Sequence, residues 1–142
     1  MRILFAVFAL LTTLAGPAAA AGGPVSGEDS AAIQSVISGQ IDAFRRDDGP
    51  GAFGFAAPST QGMFGTADTF MQMVRRGYAP VYRPRSVDFA ALEEEDGQIV
   101  QNVELTGPDG LAYTARYTME HEADGSWRIS GCAILQSRRL GV

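Results

Sequence analysis

From Val103 to Leu135 a run of apolar residues falls on odd positions: Val103, Leu105, Tyr113, Ala115, Tyr117, Met119, Trp127, Ile129, Ala133 and Leu135. Alternation of this kind is the period of an extended chain with one buried face. It also restricts how the segments pair. Antiparallel neighbours set odd residues opposite odd residues only when the connecting loop holds an odd number of residues, and a slip of one turns a whole apolar set to solvent. Both connections offer a three-residue turn ending in glycine, Pro108-Asp109-Gly110 and Ala123-Asp124-Gly125, with the glycine where such a turn needs positive φ. The register that follows sets Leu105 opposite Tyr113, Tyr117 opposite Gly131, and His121 opposite Trp127. Asn102, Glu104, Thr114, Arg116, Thr118, Arg128, Ser130 and Cys132 form the other, mostly polar face, where Glu104 and Arg116 make a diagonal ion pair. Strands are expected at 85–92, 98–106, 111–122 and 127–137.

Upstream the period is helical. Residues 22–29 read as a tether of Gly, Pro and Ser, and Asp29 or Ser30 then caps a helix by offering a side-chain oxygen to free first-turn amides. Ile33, Val36, Ile37, Ile41 and Phe44 make its apolar stripe, which Gly39 and Gln40 weaken in the middle. Arg45 and Arg46 suit its last turn, and Asp47-Asp48-Gly49-Pro50 stops it. A second helix opens at Thr66, with Phe70, Met73 and Val74 on one face and Gly77 as its stop. Helices followed by a meander with one apolar face predict an α+β fold: N-terminal helices packed on an antiparallel four-stranded sheet, as one domain over 30–142.

Composition removes several function classes. The cations are eleven arginines, against sixteen carboxylates and a formal charge of −5. Without lysine there is no Schiff base, Ser/Lys dyad or P-loop ammonium, and the acidic balance gives no support for a nucleic-acid partner. One His and one Cys cannot ligate a structural zinc; hard cations held by carboxylates stay open, and no metal site or cofactor is assigned. Arg2, an apolar run to Leu14 and small residues from Ala15 to Ala21 form the pattern of a signal peptide over 1–21, too short to span a bilayer. The expectation is therefore a periplasmic or secreted acidic protein with no membrane span once the leader is removed. Cys132 has no partner for a disulfide, so the core must hold the fold.

Candidate chemistry is sparse. Gly49, Gly51 and Gly54 match G-x-G-x-x-G but follow a helix and an acidic pair, which reads as a plain glycine turn. Asp47 and Asp48 are capping residues, with a general base as the sharper alternative. His121 is the one imidazole. Parity sets it beside Trp127 while Glu120 and Glu122 point away, so it reads as packing rather than acid–base catalysis. Glu93 to Asp96 reads as a solvated loop tip, with calcium binding as the sharper alternative. Arg83 and Arg85 straddle Pro84 near aromatics and are weak candidates for an anion site. Phe53, Phe55, Tyr78, Tyr82, Tyr117 and Trp127 either fill the core or wall an apolar pocket, with Gly131 leaving room opposite Tyr117 for a ring or a ligand.

Asp47 and Asp48 ahead of Phe53, Pro58 and Phe64, the series Met73, Val74, Tyr78, Pro80, Val81, Tyr82, Arg83, Pro84, Phe89, and the stretch Asp124 to Cys132 together resemble the bacterial family known as domain of unknown function 4864. The order of elements is similar to the nuclear transport factor 2-like superfamily. That likeness implies a curved sheet around a long helix, a cystatin-like cone with a conical pocket, and no particular reaction. The functional expectation is a non-catalytic binder of a small apolar or amphipathic molecule or of a protein partner. A lyase, isomerase or hydrolase with an Asp47 or Asp48 base is the alternative, and a structural homodimer through the sheet is the third.

Overall fold

The computed structural model describes residues 25–137; the expected leader and residues 22–24 of the tether lie outside the described residues. Helix α1, Gly27–Arg45, starts earlier than the composition suggests. Ser26 rather than Asp29 or Ser30 is its cap, accepting from the Asp29 amide at 3.0 Å. Glu28 and Asp29 thereby enter the first turn, where carboxylates favour the helix dipole, and Gly27, Glu28 and Asp29, expected in the tether, are helical.

Ile33, Ile37, Ile41 and Phe44 of the stripe are buried. Gly39 and Gln40, which weaken the helix locally, are where the next segment docks. The Phe55 ring sits so close to Gly39 that an added Cβ would lie 2.6 Å from its Cζ. Gln40 is 4% exposed and donates through Nε2 to the Ala52 carbonyl at 3.1 Å. The glycine run 49–54 is not a turn but a short helix, α2, Gly49–Gly54. Asp48 caps it through Oδ1 on the Gly51 amide at 3.0 Å, and Pro50 occupies the first turn, where its missing N–H costs nothing. Helix α3, Pro58–Phe64, leads to α4, Ala67–Gly77, capped by Thr66 as expected. Helix α4 buries Phe70, Met71 and Val74, while Met73 is half-buried. A last turn, α5, Ala79–Tyr82, delivers the chain to the sheet.

Strands β1 Ser86–Glu95, β2 Gln98–Thr106, β3 Ala112–His121 and β4 Trp127–Gln136 form an open antiparallel meander in the order β1-β2-β3-β4. The helices lie on its odd face, where Val103, Leu105, Ala115, Tyr117, Met119, Trp127 and Ile129 join them in the core. Leu105 faces Tyr113 and His121 faces Trp127, as parity requires.

Beyond Ile129 the parity rule fails. Met119 pairs Ile129 but Thr118 pairs Gly131, so Ser130 is an extra residue and every later side chain of β4 changes face. Tyr117 is opposite Cys132, not Gly131. Cys132 and Ile134 pack against the core instead of joining the polar face, whereas Ala133 is exposed and Leu135 is 54% exposed. The cause lies outside the hairpin. Along the free edge of β4 the segment Phe55 to Ala57 bonds Ile129 on both sides, at 2.9 and 2.8 Å, and Thr60 donates to the Ser130 carbonyl at 3.1 Å. Those contacts hold the bulge and turn the strand.

A second irregularity falls in β1, where Ala90 and Ala91 lie between the pairs Phe89–Val103 and Leu92–Gln101. Gln101 and Asn102 donate to the Ala90 and Ala91 carbonyls at 3.0 and 2.9 Å. The shift moves the acidic run as well. Glu93, Glu94 and Glu95 are strand residues, not a loop tip, and only Asp96 and Gly97, both at positive φ, make the turn. Arg116 pairs with Glu93 at 3.4 Å and with Glu95 rather than with Glu104, whose carboxylate accepts from Thr114.

Candidate functional site

Between the helical layer and the β4 half of the sheet lies a cavity of about 260 Å³. Gln40 and Phe44 of α1 form its roof, Phe70, Met73 and Val74 of α4 one side, and Thr60, Met63 and Phe64 of α3 the other. Tyr117, Ile129, Ser130, Gly131 and Cys132 form the floor. Met63, 76% exposed, stands at the mouth. The Ser130 bulge decides which side chains make this floor, because it brings Cys132 to the helix side directly beside Tyr117.

Among the described residues no charged side chain lines the cavity. Tyr117 is 1% exposed, with its hydroxyl withdrawn from solvent beside the Cys132 side chain. Burial pushes that phenol well above its ordinary range, with the neighbouring Cys132 adding to the effect. Burial likewise pushes the Cys132 thiol up to about 12. Both groups are neutral at physiological pH, and the wall they form penalises charge. In the row across the sheet, Gln101 stands opposite Tyr117 on the other side from Cys132, fully buried and with its Oε1 unpartnered.

Of the residues expected to wall a pocket, the structure brings Tyr78, Tyr117 and Gly131 to this cavity. Phe53 packs against Phe70 with the rings tilted and their centroids 5.4 Å apart, and Phe55 packs over Gly39. Trp127 donates its indole N–H to Asp29 at 3.2 Å and stacks flat on His121 at 4.3 Å. Gly131 contributes backbone rather than space, since a side chain there would meet Thr118 on the far face of the sheet. The room expected opposite Tyr117 is taken by Cys132.

The charged candidates lie elsewhere. Asp47, in a left-handed backbone conformation at φ 53, accepts from the Tyr82 hydroxyl and from Arg83 at 2.8 Å. The Tyr82 hydrogen bond in particular holds its carboxyl below the ordinary value, opposite to what a general base needs. Asp48 is spent on its cap. His121 is exposed, with Nε2 3.1 Å from the Gly125 carbonyl. Arg83 also reaches the Phe44 carbonyl and lies over the Tyr82 ring, while Arg85 donates to the Pro108 carbonyl at 2.7 Å. Both guanidiniums are engaged with protein and do not form a common fork. Among the described residues no cluster of three or more His, Cys, Asp or Glu has metal-binding geometry, and no helix is long and apolar enough to cross a membrane.

Sequence reasoning missed Gln40, Thr60, Met63, Met73 and Cys132 as wall residues. For Gln40 a signal existed: it lies three residues after Ile37 and four before Phe44, a polar side chain on the apolar stripe. Gln101 carries the same signal in strand form, an odd-numbered amide beside Val103 and Leu105.

The fold is thus an α+β layer in which helices cover one face of an open four-stranded antiparallel sheet, with an apolar cavity between the layers. A family model described as Domain of unknown function (DUF4864) matches residues 26–142, and the chain belongs to that family. No curated protein and no solved structure matches it.

Proposed function

We propose that this chain binds a small apolar or amphipathic molecule in the cavity between α1, α3, α4 and the floor of β3 and β4, without chemistry of its own. The observation that carries the reading is the cavity itself, about 260 Å³ with no charged side chain on its wall among the described residues. A void of about 150 Å³ lined by aliphatic groups already admits benzene, whereas pockets for drug-sized ligands begin at about 300 Å³. The guest is then a single ring with a substituent, or a short chain. Burying roughly 200–300 Å² of apolar surface at about 25 cal/mol per Å² gives about 5–7.5 kcal/mol before the cost of association, so the Kd is no tighter than roughly 3 µM. The catalytic alternative requires ionisable groups converging on the cavity, and Asp47, Asp48 and His121 are all outside it. The expected leader makes the periplasm or the exterior the proposed setting.

A fluorescent apolar probe titrated into the folded protein tests this. Binding should weaken at least tenfold in Cys132→Leu, whose side chain enters the cavity, and should persist in Gly131→Ala, whose methyl points to Thr118. Failure of the probe to bind the parent, or equal binding by a folded Cys132→Leu variant, overturns the proposal.

A further inference from the structure

A polar side chain three residues after Ile37 and four before Phe44 lies on the apolar stripe of α1 and is buried with it. Gln40 is 4% exposed, and it lines the cavity. A primary amide asks for acceptors at its nitrogen and donors at its oxygen. The nitrogen has its acceptor: Nε2 donates to the Ala52 carbonyl at 3.1 Å, and Ala52 belongs to α2 and not to the cavity wall. That bond also fixes the sense of the amide, since the flipped amide would set two oxygens against each other. The oxygen is left over. Oε1 accepts from no donor among the described residues, yet it is not sealed inside the protein as Gln101 Oε1 is. With its nitrogen turned to α2 and the rest of its side chain packed away, Gln40 presents that oxygen to the cavity.

Building on the binding reading above, we infer that the guest is an uncharged molecule with a hydrogen-bond donor, a hydroxyl or a neutral N–H, which donates to Gln40 Oε1 under the roof of the cavity while its apolar body extends toward Met63. An acceptor buried without a donor is costly, and a guest that supplies the donor regains that cost on binding. The donor has to be neutral. Among the described residues the wall carries no carboxylate to meet an ammonium, and a charge moved from water onto such a wall loses more hydration than one amide oxygen returns. Met63 and Met73 at the mouth are flexible thioethers that accept bodies of varied shape, so selection falls on the head of the guest.

Four probes of equal heavy-atom count separate the possibilities at neutral pH: p-cresol carries the donor, its isomer anisole has an acceptor only, p-xylene has neither, and benzylamine carries its donors on a cation. Each is titrated against the parent, with binding read from amide chemical shifts of the cavity residues, the Gln40 side-chain amide included. p-Xylene is the most hydrophobic and binds whether or not the inference holds, so the informative quantity is the ratio of p-cresol to anisole affinity. The parent should prefer p-cresol about three- to tenfold, the worth of one buried hydrogen bond, and should bind benzylamine at least tenfold more weakly than p-cresol. In Gln40→Met, which keeps the length of the side chain and removes the acceptor, the preference should vanish while p-xylene affinity stays within about twofold. That variant also leaves the Ala52 carbonyl without its donor, so if it does not fold, the two comparisons on the parent decide. Equal binding of p-cresol and anisole by the parent, a preference that survives in folded Gln40→Met, or benzylamine binding as well as p-cresol overturns the inference, and p-xylene binding then leaves an apolar cavity without a polar seat. If none of the four binds the parent, the binding reading falls and the inference with it.

Discussion

Replacing Gly39 by Ala sets two effects of known sign against each other. In the interior of a helix, Ala is about 1 kcal/mol more favourable than Gly, so in α1 alone the change stabilises. Against it stands the Phe55 ring, with Cζ, Cε1 and Cε2 at 2.6, 3.1 and 3.3 Å from the position of the new methyl. Ordinary contact begins near 3.4 Å, so the ring must retreat by about 0.8 Å, the difference between that limit and the nearest distance. Phe55 is not free to do so, because its carbonyl accepts from the Ile129 amide at 2.9 Å and so ties α2 to the edge of β4. Overpacking a fitted contact costs about 1–3 kcal/mol, which exceeds the helical gain over most of its range. The expected outcome is a net loss of up to about 2 kcal/mol, read as a lower urea midpoint at unchanged slope. The sign should invert in a Phe55→Leu background, where the same Gly39→Ala change now stabilises by up to about 1 kcal/mol, a coupling that a double-mutant cycle isolates. A Gly39→Ala protein more stable than its parent by the full helical increment, with no coupling to Phe55, refutes the docking of α2 on α1.

The Ser130 bulge predicts unequal neighbours: Ile134→Ala should cost about 1–3 kcal/mol and Leu135→Ala under about 0.5 kcal/mol, and urea melts showing the reverse order would restore the unbulged register. Cys132, its thiol pushed up to about 12, should label slowly with iodoacetamide at pH 8, equally at all protein concentrations, and fast once urea unfolds the chain; labelling of the folded protein at the free-thiol rate contradicts its place beside Tyr117. Asp47, held low first by the Tyr82 hydroxyl, contributes stability that is present above its unfolded value of about 3.8 and lost as pH falls through the lower folded value. Tyr82→Phe should therefore be less stable than the parent at pH 6, with the gap closing toward pH 2, and a gap that is the same at both ends rules this linkage out.

What could be read along the chain, and what could not, divides by the range of the interactions involved. The stripe of α1, the Thr66 cap of α4 and both glycine-ended hairpins depend on residues a few positions apart, and periodicity or turn chemistry captures them. Parity counting is sound for as long as a strand is regular. It carried the pairing correctly from His121–Trp127 to Met119–Ile129 and failed one residue later. The reason for failure is Thr60, some seventy positions away along the chain, together with the Phe55 to Ala57 segment that bonds the strand edge. Nothing within β4 distinguishes Ser130 as surplus; only the helical layer arriving on that edge does so. The candidate site inherits this limit directly. Tyr117 was legible as a floor residue because its own strand is regular, but its neighbour was not, so Cys132 was assigned to the wrong face and Gly131 credited with space it does not supply. The aromatic residues divide in the same way. Phe53, Phe55 and Trp127 have the composition of a pocket wall, yet each meets a partner from another segment, respectively Phe70, Gly39 and the Asp29–His121 pair. Whether an aromatic residue lines a cavity depends on how layers meet rather than on any stretch of sequence. The readable sign of the site was polarity out of place: Gln40 on an apolar helix stripe and Gln101 on an apolar strand face both mark the interior where buried amides had to find carbonyls, and Gln101 pairs across β2–β3 with Tyr117 of the cavity floor.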